Sequence, residues 1–149
     1  WPEPIGRDNT RTPMVWDASP AGGFTTGMPW LPVQTPQLSR NVAAQEGVAG
    51  AVLETYRALL GLRRATPAMV RGTSRFFDLA DPLLGFTRQL GDQVVACVYN
   101  LSPGSHSLTI RGAQTVLAPS QAASLSGETL TLGPSGYAWI ACAPGVELA

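Results

Sequence analysis

Arg7, Asp8 and Arg11 fall within one short stretch, and Pro13, Trp16 and Asp17 follow closely. Charged residues make up only 13% of the chain, so this concentration stands out. A guanidinium presents a fixed fork of N–H donors, and two forks facing a carboxylate can read the hydroxyls of a polar ligand. The same residues also suit a plainer purpose, an Arg–Asp pair that only staples a loop. Arg7 and Arg11 are four apart, but Pro13 close behind disfavours a long helix. An ordered loop is the reading.

Other chemistry-bearing residues are few. His106 follows Ser102-Pro103-Gly104 and reads as an exposed turn residue, with no sequence context for a serine or cysteine nucleophile. Cys97 and Cys142 lie in apolar runs, where free thiols pack as small hydrophobes. A bridge between them stays open, since spacing alone cannot decide it. Two isolated cysteines and one distant histidine do not make a zinc site, so no metal and no cofactor is expected.

The elements that must position these groups change character along the chain. Residues 1–40 show no sustained period and are cut by Pro2, Pro4, Pro13, Pro20, Pro29, Pro32 and Pro36. A long loop is expected, with Trp1, Trp16, Phe24 and Trp30 as apolar anchors packed on the body; a platform on which a ligand stacks is the alternative use of such rings. Over 43–65, Val48, Val52, Tyr56, Leu59, Leu60 and Leu62 recur at three- and four-residue steps and predict one helix. Arg63 and Arg64 suit its last turn, Thr66-Pro67 ends it, and Gly47 and Gly50 weaken its start.

From about residue 71 the period becomes two. Predicted strands are Ser74–Leu79, Leu84–Leu90, Gln93–Asn100, Ser107–Ile110, Gln114–Leu117, Ala122–Leu125, Thr129–Leu132 and Tyr137–Cys142. Gly91-Asp92 marks a two-residue hairpin, and Ser102-Pro103-Gly104, Arg111-Gly112, Ser126-Gly127 and Gly133-Pro134-Ser135-Gly136 mark the other reversals. The pattern predicts a mainly β chain ending in an antiparallel Greek-key sandwich of about eight strands, with a closed barrel as the alternative. Phe86, Val95, Cys97, Tyr99 and Trp139 are expected to face its interior.

Composition bounds the partners. A chain of 149 residues with 44% hydrophobic residues can bury a core. Ten Arg, no Lys and ten acidic residues give zero net charge, which offers no electrostatic case for nucleic acid or an anionic membrane. The sequence lacks a leader pattern and any apolar run approaching a membrane span, so a soluble, cytoplasmic protein is expected. It begins at Trp1 without an initiator Met, and export of a longer parent stays open.

Gly6-Arg7-Asp8-x-x-Arg11-Thr12-Pro13-Met14-x-Trp16-Asp17 leads in order to Ala21-Gly22-Gly23-Phe24-Thr25-Thr26-Gly27 and Pro29-Trp30-Leu31-Pro32-Val33. Asn41-Val42-Ala43-Ala44-Gln45-Glu46 and Tyr56-Arg57-x-Leu59-Leu60-x-Leu62-Arg63 follow. This series resembles the late part of the catalytic barrel of α-glucosidases of the α-amylase superfamily (glycoside hydrolase family 13). The branch holds oligo-1,6-glucosidases, dextran glucosidases and trehalose synthases. Agreement is dense over residues 1–70 and thinner beyond.

The resemblance implies that residues 1–70 are the end of a (β/α)8 barrel, its substrate-side loop and last helix, and that 71–149 form the β-domain behind it. It further implies that the nucleophile, the acid/base and the His-Asp pair gripping the substrate lie upstream of Trp1. No catalytic residue is then expected in this chain, which alone would hydrolyse nothing. Arg7 or Arg11, with Asp8 as an orienting partner, would bind the terminal glucose of an α-glucoside oligosaccharide or the sugar beyond it. Hydrolysis and glucosyl transfer (as in trehalose synthase) share this segment, and a free-standing carbohydrate-binding β-sandwich is a further alternative.

Overall fold

The computed structural model describes Gly6 and residues 8–149. The chain divides into two compact units, Trp1–Arg57 and Ala58–Ala149.

The first unit is built from short pieces. A 3-10 turn, Asp8–Thr10, is followed by an extended stretch in which Pro13 and Val15 are buried while Met14 and Trp16 are exposed. This alternation is what an extended backbone imposes on successive side chains. The chain then reverses, with Trp16 N donating to Gly22 O and Gly22 N to Ser19 O. Helix α1, Thr35–Leu38, starts on Pro36, whose missing N–H costs nothing in a first turn. Helix α2, Val42–Gln45, is capped by the Asn41 side chain.

The single helix expected over 43–65 is two. After α2 the chain breaks, and helix α3 runs Val52–Ala65. Gly47 and Gly50 lie between them at φ of 72° and 80°, a left-handed conformation that a right-handed helix cannot contain. The apolar period continues through this break and so conceals it. Thr66-Pro67 does end α3, but Pro67 also opens a further helix, α4, Pro67–Arg71. The expectation that the aromatic rings pack on the body also fails for the described ones: Trp16, Phe24 and Trp30 are 51%, 53% and 78% exposed.

The second unit is an antiparallel sheet in the order β1-β2-β3-β5-β4. Its strands are β1, Thr73–Phe77; β2, Leu83–Leu90; β3, Gln93–Asn100; β4, His106–Ser126; and β5, Thr129–Leu148. The predicted hairpin at Gly91-Asp92 joins β2 to β3, with Leu90 opposite Gln93. Each of the eight predicted segments contains residues that pair, but the last five belong to two long strands. β4 and β5 form one bent ribbon, turning at Gly127-Glu128, with register shifts where Arg111-Gly112 and Gly133-Pro134-Ser135-Gly136 had predicted reversals. Its tip, residues 129–132, pairs with 123–126 on one side and with 106–109 on the other. Bulges let a sheet fold back on itself in this way, giving two packed layers from one ladder.

The layer interior holds Val94, Ala96, Val98, Ile110, Leu130, Leu132 and Ile140. β3 is buried along nearly its whole length because both faces are covered. Val95 and Cys97 point to the opposite face, where they cluster with Trp139, Leu59, Leu62 and Met69. The expectation that Phe86, Val95, Cys97, Tyr99 and Trp139 line the sandwich interior is therefore corrected. They face the layer formed by the end of α3 and α4. Ala68 N donates to the Gln93 side chain at 2.7 Å, and Arg88 Nε to Ala68 O at 3.3 Å, which fixes α4 to the sheet.

No helix among the described residues is long and apolar enough to cross a membrane.

Candidate functional site

Of the three residues expected to bind sugar, Arg7 lies outside the described residues. Asp8 opens the 3-10 turn and is half-buried, and Arg11, just after it, is exposed. Arg11 N donates to Asp8 O at 3.1 Å, so the two residues are held together through the backbone.

The chain beyond Arg11 is anchored. Val42 N donates to Val15 O at 3.1 Å and Ala43 N to Trp16 O at 2.9 Å. A shallow cleft of about 270 Å³ runs beside this stretch, lined by Thr12, Pro13, Met14, Val15, Gln37 and Arg40. The Thr12 hydroxyl and the Gln37 amide approach to 3.4–3.5 Å across it, at the long limit for hydrogen bonding. Further along, Asp17 Oδ1 accepts from Ser19 N at 2.8 Å. The Ser19 side chain, then its backbone N–H, holds the Asp17 carboxyl below its ordinary pKa, as hydrogen bonding to a carboxylate does. Asp17 is thus a turn-forming residue.

The remaining chemistry-bearing groups serve structure. Cys97 and Cys142 are free and buried. Cys142 pairs with Val94 and Cys97 with Trp139, which puts the thiols on opposite faces of the sheet and leaves the disulfide unmade. His106 is not an exposed turn residue: it opens β4, is half-buried, and its Nε2 lies 3.1 Å from Ser102 Oγ. A serine does stand beside it, four positions back. That hydroxyl donates to Asn100 Oδ1 at 2.9 Å and accepts from Gly104 N. Buried Asn100 in turn donates to Gly104 O and Gly133 O, so the group staples a loop. Among the described residues no group of three His, Cys, Asp or Glu is disposed to hold a metal ion.

The Arg11 loop, α1, α2 and α3 all fall inside a recognisable block. Residues 2–72 match the family described as "Alpha amylase, catalytic domain". These residues, just under half of the chain, belong to the α-amylase family. Among curated relatives of this family, the chain is 45% identical over 102 residues to the probable alpha-glucosidase of Rhizobium meliloti, covering 68% of this chain and 18% of that protein. It is 38% identical over 133 residues to the glucan 1,6-alpha-glucosidase of Streptococcus pneumoniae, covering 87% of this chain and 24% of the other. Among solved structures it resembles the alpha-glucosyl transfer enzyme XgtA, with a TM-score of 0.83 and 33% identity over 95% of this chain and 27% of that one. The chain therefore spans about a fifth to a quarter of the length of these α-amylase-family relatives.

Asn41 and Gln45, which fasten α2 to its neighbours, were not singled out as site residues from the sequence. Their only signal was the Asn-x-x-x-Gln spacing within a block that matches the family.

Proposed function

We propose that this chain supplies a sugar-recognition loop and a supporting β-domain to an α-glucosidase that cleaves terminal α-glucosidic bonds of malto- or isomalto-oligosaccharides. The observation that carries the reading is where the family match falls. It covers residues 2–72, the part that holds Arg7, Asp8 and Arg11, and relatives of the chain are named alpha-glucosidases.

In the retaining mechanism two carboxylates about 5–5.5 Å apart act as nucleophile and acid/base. On this reading both come from barrel segments that this chain does not contain, and its own contribution is binding. Arg11, with Arg7 and with Asp8 as orienting partner, donates to hydroxyls of the terminal glucose. A charged hydrogen bond of this kind contributes roughly 1.5–3 kcal/mol. It also confines cleavage to a chain end, because a further sugar would collide with the loop. The rest of the barrel is the partner of the first unit, which fits the exposure of Val48, Val52 and Tyr56 in it. No cofactor takes part, and the enzyme acts in the cytoplasm.

A second reading, glucosyl transfer in place of hydrolysis, draws on the likeness to XgtA, an alpha-glucosyl transfer enzyme. The two differ in which acceptor, water or sugar, attacks the glycosyl-enzyme, and the same loop serves both.

Steady-state kinetics of Arg7→Ala and Arg11→Ala in the glucosidase carrying this segment test the reading. At least one variant is expected to lose kcat/KM for isomaltose by about tenfold or more, as removal of one such bond implies. Unchanged kinetics in both would reject it.

A further inference from the structure

The block Asn41–Glu46 stands out in the sequence, yet sugar recognition as proposed above leaves it without a task. Its geometry is specific. Asn41 is 5% exposed, and both ends of its side-chain amide are engaged. Oδ1 accepts from Ala44 N at 2.7 Å, and Nδ2 donates to Leu38 O at 2.6 Å. Gln45 is engaged at both ends too: Nε2 donates to Arg40 O at 2.8 Å, and Oε1 accepts from Leu53 N at 3.2 Å.

Helix α2, which Asn41 precedes and Gln45 ends, has four residues. A helix that short does not persist by itself, since nucleation is not repaid by so few internal bonds. It persists here because Asn41 caps its start and Gln45 ties its end to Arg40, just past α1, and to the first turn of α3. The capped start aims two backbone donors outward, and these are the amides of Val42 and Ala43 that hold Val15 O and Trp16 O. Those two carbonyls belong to the extended stretch, residues 13–16, that follows the bend at Arg11 and Thr12.

We infer that Asn41 and Gln45 are positioning residues for sugar recognition: by holding α2 rigid, they fix the loop that presents Arg11. The inference rests on the reading of Arg11 as a sugar-binding group. Neither residue touches the ligand. Each acts through α2 and then through the Val15 and Trp16 carbonyls.

The test is a double-substitution cycle in the glucosidase carrying this segment, with kcat/KM for isomaltose as the readout. Asn41→Ala alone lowers it by about tenfold, the scale on which slight misplacement of a binding group is felt. Asn41→Ser keeps an oxygen for Ala44 N–H and recovers most of that loss. On an Arg11→Ala background, Asn41→Ala costs less than about twofold, because the group it positions is already gone. Gln45→Ala is run through the same cycle, so that a poorly folding Asn41→Ala does not decide the matter.

If Arg11→Ala is impaired and the Asn41 and Gln45 substitutions multiply with it in full, positioning is overturned while sugar recognition stands. If Arg11→Ala is unimpaired, positioning through the Arg11 loop falls, and recognition then stands or falls with Arg7→Ala. In the 149-residue chain, Asn41→Ala should also speed hydrogen exchange at the Val42 and Ala43 amides by about tenfold or more while leaving the sheet amides unchanged. Unchanged exchange at those two amides would contradict the route through α2.

Discussion

Burial pushes the Cys97 thiol up to about 12 from an ordinary 9.0, and raises Cys142 for the same reason. Neither is a nucleophile at neutral pH, since the reactive form is the thiolate. The shift also sets a pH dependence of stability. Below pH 9 the folded and unfolded chains both hold the Cys97 proton, so the thiol adds no slope. Between about pH 9 and 12 the unfolded chain gives it up and the folded chain keeps it, so stability falls as pH rises. One thiol contributes at most about 1.4 kcal/mol per pH unit in that window. Urea midpoints measured at pH 8, 9.5 and 10.5 should fall, and less steeply for Cys97→Ala than for the unsubstituted chain. Equal slopes would mean that Cys97 is not held protonated by the fold.

At the scale of the element, α3 carries two apolar lines, one packed and one exposed. Leu59 and Leu62 pack on Val95, Cys97 and Trp139, while Val52, Tyr56 and Leu60 are 76%, 65% and 40% exposed. Leu62→Ala should therefore cost about 2 kcal/mol in urea unfolding of the chain, and Leu60→Ala about 0.5 kcal/mol or less. Equal losses would show that the sheet does not select one side of the helix.

The same element shows how far the sequence could be read. The period of Val52, Tyr56, Leu59 and Leu62 was legible, as was the stop at Thr66-Pro67. The break at 46–51 was not, because apolar spacing continues across residues whose backbone turns left-handed. The Gly91-Asp92 hairpin was legible from two residues, since few pairs fit so tight a turn. Val94–Val98 gave a continuous apolar run, which says that both faces are buried but not which partner covers each. The odd-numbered residues were therefore assigned to the sandwich interior, when a helical layer from earlier in the chain covers them. In the candidate site, the Arg-Asp-x-x-Arg spacing was readable. The bonds from α2 to Val15 and Trp16 were not, because they are backbone bonds and leave no mark on residue type.

For the whole molecule, two observations agree. The chain spans 18–27% of the lengths of its relatives, and its first unit leaves large apolar side chains in water, among them Met14, Trp16, Val48, Val52 and Tyr56. Read as proposed above, these side chains belong to a covered surface. On the proposed reading the cover is the rest of a catalytic barrel, and the division of labour is sharp: the acids lie there, the sugar-gripping loop here. Glucose release from isomaltose and maltose tests that division most directly, assayed with the 149-residue chain alone and with the same chain joined to the preceding barrel segments. The chain alone should release none, and the joined protein should release glucose from the chain end. Release by the chain alone, or no turnover of either sugar by the joined protein, would contradict the account.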